Sequence, residues 1–463
     1  MPHDIAAGRP AATLRKGSLE FLAFFEHHLS VSSKVLMKPG DLDPHFKTGS
    51  GKLHDCVAEL LRDKPRYVRP TGLQFAVADL SRDPDHPDLA GSKIDEYWEA
   101  ASTAKIGIAY AAFQMQRDLN AMAAQNAATL KTEADLFRFA QSQWIATQTW
   151  AATTTPIATP AGQPTLALAD RLLLETKKGG KPGRMQVPSW AKPEPAKIFR
   201  ATPNAAGVLE VSFKLPVLHG HELWERPVQR GEFGAVGDLT YIEQLYTALD
   251  GSNNEGANVT IKGLGFIYIA SVLMQSNLFD LSHTNGLWIG RFFPGGDVVA
   301  PPVPNPLPRT PKDLQSTRAG RRDGQEIFAA QSARSGVTFM TLLAQNRLVD
   351  AVACDHIRGM LDRSMFYAAA PHSSKTKTET RSPVGDALRD RGIKVDEIYS
   401  KIGIGSRNNI WDIAFVRRTT PAGKRLSYAI SILDSVQELT DPDDGPLRDI
   451  AFDLDECVVK ANR

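Results

Sequence analysis

Two runs near the C-terminus, Ile410–Arg417 and Leu426–Leu433, constrain this chain more than any other stretch. Both are dense in β-branched and aromatic residues, and the Thr-Thr-Pro-Ala-Gly-Lys between them is turn chemistry, so they are expected to form an antiparallel hairpin. In the second run Leu426, Tyr428, Ile430 and Ile432 face one way, while Ser427, Ala429 and Ser431 face the other. A face of small residues lets a helix come close. Leu447, Ile450, Ala451, Leu454, Cys457 and Val458 supply a terminal amphipathic helix to fill that place.

Upstream, Leu53, Cys56, Val57, Leu60 and Leu61 form one face of a short helix, and Gly72–Asp79 alternates as a half-buried strand. Order is weak from about 127 to 235, where Ala151–Thr165 is rich in Thr, Pro and Ala and Lys177–Lys197 in Gly, Pro and Lys; this reads as a surface insertion. Ile261–Met274 is apolar nearly all round and is expected to be a buried central helix. Prolines from Pro301 to Pro311 mark an extended loop, and Gly336–Asp362 reads as helix. The expected class is α/β (α+β), an antiparallel sheet flanked by N- and C-terminal helices plus a large helical lobe. Residues 1–50 form an extension, 51–110 with 385–463 an α/β subdomain, and 111–384 a helical subdomain.

A chain of 463 residues can bury a large core, and 42% apolar with 23% charged residues is ordinary for a globular enzyme. A formal charge of +2, with Lys and Arg spread along the chain, gives no reason to expect nucleic acid as a partner. No segment approaches the ~20 apolar residues of a membrane span, and no secretory leader opens the chain, so a cytoplasmic protein is expected. Cys56, Cys354 and Cys457 are far apart and odd in number; they read as buried free thiols. There is no Gly-rich phosphate loop or dinucleotide fingerprint, and no cofactor is implied. Nothing in the sequence sets an oligomeric state.

The chemistry centres on Trp98-Glu-Ala-Ala-Ser-Thr-Ala-Lys105, which runs into the apolar, helix-like Ile106–Met115. Ser102 and Lys105 stand three residues apart, one turn along one helix face. A serine hydroxyl is a poor nucleophile until a base takes its proton, and an amine one turn away is such a base. A serine at this place also suits a helix N-cap. What favours catalysis is a second signal, Tyr399-Ser-Lys-Ile-Gly-Ile-Gly405, almost three hundred residues later.

In layout and motifs the chain resembles the penicillin-recognising serine hydrolases, especially class A β-lactamases. Ser102-Thr-Ala-Lys105 is similar to their Ser-x-x-Lys and Lys401-Ile-Gly403 to their Lys-Thr-Gly, while Gln275-Ser276-Asn277 is similar to Ser-Asp-Asn at the end of a buried helix. The resemblance covers roughly 70–110 and 260–463. It implies a Ser102 nucleophile at a helix N-terminus, Lys105 as general base, and an oxyanion hole from the backbone N–H groups of Ser102 and Ile404. It further implies that Lys401 supplies positive potential and that Asn277 holds the substrate amide or Lys105.

Departures from the pattern shape the expected substrate. Gln275 carries an amide where the family has a hydroxyl, and an amide cannot relay a proton. Ile402 and Ile404 replace positions that commonly carry hydroxyls for a substrate carboxylate, giving an apolar wall; with Gly403 and Arg407 they are the expected substrate-binding residues. The expectation is therefore a small ester or amide lacking a carboxylate there, cleaved by a serine hydrolase or acyltransferase. A catalytically degraded protein that binds a ligand or partner in the same cleft is the alternative. The family uses a glutamate after the middle motif to activate water, and Asp297, Asp323 and Glu326 occupy the corresponding region, each reading as a solvated carboxylate. His219-Gly-His221-Glu222 puts two rings on one strand face, but nothing nearby in sequence completes a metal site, so no metal is expected. Arg318–Arg322 reads as a solvated loop.

Overall fold

The computed structural model describes residues 42–68, 73–146, 193–214, 241–278, 286–289, 293, 329–364, 382–405, 410–434 and 446–463. Eleven short strands are present among them: β1 Lys47–Thr48, β2 Leu73–Asp79, β3 Asp88–Ser92, β4 Tyr97–Glu99, β5 Phe199–Pro203, β6 Leu209–Phe213, β7 Trp288–Ile289, β8 Ala329–Ser332, β9 Glu397–Ile404, β10 Ile410–Thr419 and β11 Arg425–Asp434. The main helices are α1 Lys52–Asp63, α2 Lys105–Gln125, α3 Glu133–Ala146, α4 Tyr241–Leu249, α5 Asn254–Leu264, α6 Phe266–Gln275, α7 Ala333–Ala344, α8 Ala351–Leu361, α9 Pro383–Asp390 and α10 Pro446–Ala461.

Six strands build the main sheet in the order β1-β3-β2-β11-β10-β9, antiparallel throughout except for the two-residue pairing of β1 with β3. The expected hairpin is there, with Phe415 opposite Ala429 and Ala414 opposite Ile430. β2, from the start of the chain, pairs with β11 near its end, Val77 opposite Ile430. The sheet thus gathers elements from both ends of the sequence, as the pattern of runs predicts.

Two apolar clusters cover the sheet. On one side Leu53 and Val57 of α1, Val384 and Leu388 of α9, and Leu447, Ile450 and Leu454 of α10 pack on Tyr428, Ile430 and Ile432. The other side meets α7 and the helical lobe through Trp411, Ile413, Phe415 and Ala429. With a layer on each face, β2 is buried at all seven residues rather than half-buried as its alternation suggests.

The small face of β11 does accept a close helix, but that helix is α7. A Cβ on Gly336 would lie 2.7 Å from both Ser431 Oγ and Ile413 Cγ2, so only glycine lets the α7 backbone come this near. The terminal helix α10 takes the opposite face, where large side chains fill the gap. There Arg418 meets Asp455 through paired hydrogen bonds, its Nε donating at 2.6 Å, and Tyr428 donates to the same carboxylate at 2.8 Å.

Two further expectations change. Cys56 of α1 and Cys457 of α10 are paired in a disulfide, leaving Cys354 as the buried free thiol. The two helices lie side by side on one face of the sheet, and a separation of 401 residues conceals that proximity in the sequence. The 261–274 segment is two helices, α5 and α6, broken at Gly265 with φ 75°. The central buried helix is instead α2, buried without interruption from Lys105 to Met115. Gly107 explains the depth: a Cβ there would stand 3.2–3.3 Å from Ile289, Leu273 and Leu287.

Around α2, Tyr268 of α6 donates to Asp118 at 2.6 Å, and Gln114 to the same carboxylate at 2.8 Å. The β5–β6 hairpin seats on the same helix, Asn120 accepting from Val211 N at 2.7 Å. Among the described residues, no helix is long and apolar enough to cross a membrane.

Candidate active site

The serine at the centre of the sequence reading sits on a short 3₁₀ turn, Ala101–Ala104, that leads directly into α2 at Lys105. In a 3₁₀ turn side chains three apart eclipse one another, so Ser102 and Lys105 point to one side. The turn is held from outside. Ala100 N donates to Ala329 O of β8 at 3.0 Å, Trp411 Nε1 of β10 donates to Glu99 O at 2.8 Å, and Thr103 Oγ donates to Ala100 O at 2.5 Å. Ala101, just before the serine, is forced to φ 48°, a conformation that costs a non-glycine residue of order 1–3 kcal/mol. Strain of this kind persists only where surroundings impose it, and here they position a half-buried Ser102.

Edge strand β9 lies against this turn. A Cβ on Gly403 would fall 2.8 Å from Thr103 N and 2.9 Å from Ala100 O. The glycine of Lys401-Ile-Gly403 therefore has a steric reason: only a bare backbone lets the strand reach the serine. Strand alternation then sends Lys401 to the lobe side and Ile402 to the other. Ile402 is 3% exposed within the cluster formed with α1, α9 and α10, so it is a core residue and lines no apolar wall for substrate. Ile404, at the strand end, is 38% exposed.

Both lysines are buried, and both turn to one short loop between α4 and α5. Lys105 Nζ donates to Ser252 O at 2.5 Å and to Asn254 Oδ1 at 2.7 Å. Lys401 Nζ donates to the Ser252 hydroxyl and to Ile402 O at 2.8 Å. A hydroxyl and an amide that meet the lysines are thus those of Ser252, held by Lys401, and Asn254, held by Lys105. Gln275 ends α6, Ser276 Oγ donates to Leu273 O of its own helix at 3.0 Å, and Asn277 is exposed with φ 56°.

The loop is well fixed. Asn253 caps α5, accepting from Glu255 N at 2.8 Å and Gly256 N at 3.2 Å, which leaves the side chains on either side of it for other work. Ser252 itself has φ 52°. Behind it Asp250 accepts from the buried Arg363 at 2.8 Å, and Arg363 N donates to Ile398 O of β9 at 2.9 Å. Burial pushes the Asp250 carboxyl above its ordinary range, against the opposing pull of Arg363 and Lys401. This ion pair ties the loop to the strand that carries Lys401. On the far side of that strand Asp412 accepts from Ser400 at 2.6 Å, Ser382 at 2.7 Å and Val384 N at 2.9 Å. Full burial raises its carboxyl despite the three donors.

One residue at the site carries no sequence signal. The ring of Phe293, 3% exposed, stands with its centroid 5.0 Å from Lys105 Nζ. Its backbone is held at both ends by Asn258 of α5, which donates to Phe293 O at 2.9 Å and accepts from Phe293 N at 2.7 Å.

Arg407, Asp297, Asp323, Glu326, His219, His221 and the Arg318–Arg322 loop lie outside the described residues. Among those described, no group of three His, Cys, Asp or Glu side chains is placed to hold a metal ion.

No family model and no curated protein matches the chain. Solved structures do. The TLA-1 extended-spectrum β-lactamase is 12% identical with a TM-score of 0.40, covering 88% of this chain and 98% of that one. PBP-A is 14% identical with a TM-score of 0.38 and coverage of 89% and 96%. A class A β-lactamase from Mycobacterium abscessus is 16% identical with a TM-score of 0.38 and coverage of 87% and 98%. At such distance the chemistry has to come from this chain's own side chains.

Proposed function

We propose that this protein is a serine hydrolase or acyltransferase that acts on an ester or amide through an acyl-enzyme on Ser102. The observation that carries the reading is the convergence of Lys105 and Lys401 on Ser252, beside the strained turn that presents Ser102.

In the proposed reaction Lys105 acts as the neutral amine and accepts the Ser102 proton as Oγ attacks the carbonyl carbon. The N–H groups of Ser102 and Ile404 stabilise the oxygen that gains negative charge, and Lys401 adds positive potential. The bond to the leaving alcohol or amine then breaks as the leaving group takes a proton from the Ser252 hydroxyl, which Lys401, its donor, resupplies; the proton on Lys105 then restores Lys401 and leaves Lys105 a neutral base. The Ser252 hydroxyl can donate and accept at once, as a relay requires. In this reading Ser252 supplies the hydroxyl that Gln275 lacks, which supports an enzyme over a binding-only protein. Asn254 orients Lys105. The exposed Ile404 gives the mouth of the site an apolar edge suited to a small neutral acyl group.

Intact-mass spectrometry tests this. A fluorophosphonate or an activated nitrophenyl ester should add its mass at Ser102, and Ser102→Ala should abolish the adduct. Lys105→Ala should leave a folded protein whose acylation falls by on the order of 10²–10⁴. Labelling at another residue, or none on folded protein, would overturn the reading.

A further inference from the structure

Phe293 has no role in the acylation chemistry above, yet it is among the most carefully held residues at the site. Asn254 and Asn258 are four apart on α5 and share one face of that helix. Asn254 accepts from Lys105 Nζ at 2.7 Å, while Asn258 grips the backbone of Phe293 with two hydrogen bonds. A single helix face therefore sets the amine and the ring relative to one another. Lys105 Nζ has the oxygens of Ser252 and Asn254 and the Phe293 ring at 5.0 Å as neighbours. The apolar face of a ring at that distance is a poor neighbour for water.

The consequence falls on the second half of the reaction. To hydrolyse an acyl-Ser102 ester, water must attack the acyl carbon and give up a proton, and Lys105 is the base placed beside that ester. Water approaching Nζ from the side of Phe293 meets the ring. Resting on the acyl-enzyme proposed above, we infer that Phe293 is a positioning residue that keeps water from the Lys105 side of the ester. The acyl group then stays on Ser102 until an amine or alcohol, carrying its own binding contacts, takes it. In that transfer the acceptor's N–H or O–H proton passes to the neutral Lys105 amine as its N–C or O–C bond forms, and Lys105 returns a proton to Ser102 Oγ as the bond from Oγ to the acyl carbon breaks. The mechanism is exclusion of solvent from a shaped site by a ring held in one position.

The test separates formation of the adduct from its decay. Wild-type protein is pulsed with a nitrophenyl ester, excess ester is removed, and the acyl adduct on Ser102 is followed by intact mass, with and without added glycinamide. The adduct is expected to persist in buffer and to be discharged by glycinamide with formation of the acyl amide. Phe293→Ala, or Phe293→Leu should the alanine variant fold poorly, should raise the ratio of hydrolytic decay rate to formation rate by about tenfold or more. Phe293→Tyr, which keeps the ring, should hold the wild-type ratio. An adduct that forms but hydrolyses at the same rate in wild type and in the ring-less variants would overturn the role of Phe293 while leaving the acyl-enzyme intact. Absence of any adduct would overturn the acyl-enzyme, and this inference with it.

Discussion

Lys401, on the edge strand, donates to the hydroxyl of Ser252, 149 residues earlier in the chain. The contact joins the sheet to the helical lobe where the proposed reaction calls for a proton relay. Ser252→Ala should therefore slow acylation by an unactivated alkyl ester or an amide, whose leaving group needs the proton, by on the order of 10²-fold or more while the protein stays folded. Release of the alcohol or amine, with circular dichroism as the control for folding, measures both. Acylation at the wild-type rate would remove Ser252 from the mechanism.

Gly403 is expected to tolerate no side chain. An added methyl would collide with the backbone of Thr103 and Ala100, neither of which can rotate away. Gly403→Ala should lose ester cleavage and about 1–3 kcal/mol of stability as β9 is pushed from the Ser102 turn. Melting temperature and activity should fall together; an active, wild-type-like variant would show that the strand need not come so close.

The Cys56–Cys457 pair closes most of the chain into one loop. Loss of such a bridge typically costs about 2–5 kcal/mol, so Cys457→Ser, or reduction of the native protein, should lower the melting temperature by several degrees. Alkylation of denatured, unreduced protein should modify Cys354 alone. Because a bridge of this type persists in oxidising surroundings, protein recovered from its native cell should already carry it, contrary to the expectation of a cytoplasmic protein. Recovery with all three thiols reduced would count against that.

Asp412 gives a pH dependence with a defined sign. Burial raises its carboxyl in the folded state, so its contribution to stability is full below the unfolded value of about 3.9 and is lost as pH rises through the folded value. Asp412→Asn cannot ionise and should lack this decline. Melting temperatures of the two proteins across the acidic to neutral range should diverge, with the wild type losing ground to the variant as pH rises. Parallel curves would show that the three donors offset the burial and Asp412 titrates alike in the folded and unfolded protein.

The sequence shows the ends of this fold better than its middle. Ile410–Arg417 and Leu426–Leu433 announce themselves through alternation, and Ser102, Lys105, Lys401 and Gly403 through short spacings with chemical meaning. Ser252 and Asn254 escape notice because Asp250-Gly-Ser-Asn-Asn-Glu255 reads as turn and helix cap, and Asn253 does act as that cap. A hydroxyl and an amide flanking a cap residue are the available signal. Gln275–Asn277 draws attention instead because it follows the most apolar run. Ile402 misleads for another reason: next to a motif it looks like part of the site, yet alternation along β9 turns it into the core. Phe293 is invisible in sequence, since only its distant partner Asn258 distinguishes it from any buried phenylalanine.

The pairing of β2 with β11 has a further effect, on how the molecule comes into being. Asp79 lies opposite Tyr428, so an early strand must wait for a partner made roughly 350 residues later. At ribosomal rates of about 5–20 residues per second the delay is on the order of 20–70 s. Throughout it the apolar run Leu73–Ala78 can pair with β3 alone, and its other edge stays open. The emerging chain therefore presents a sticky strand for as long as its synthesis lasts, and a chain broken off before residue 425 can have neither the central sheet nor, with it, a properly placed Lys401.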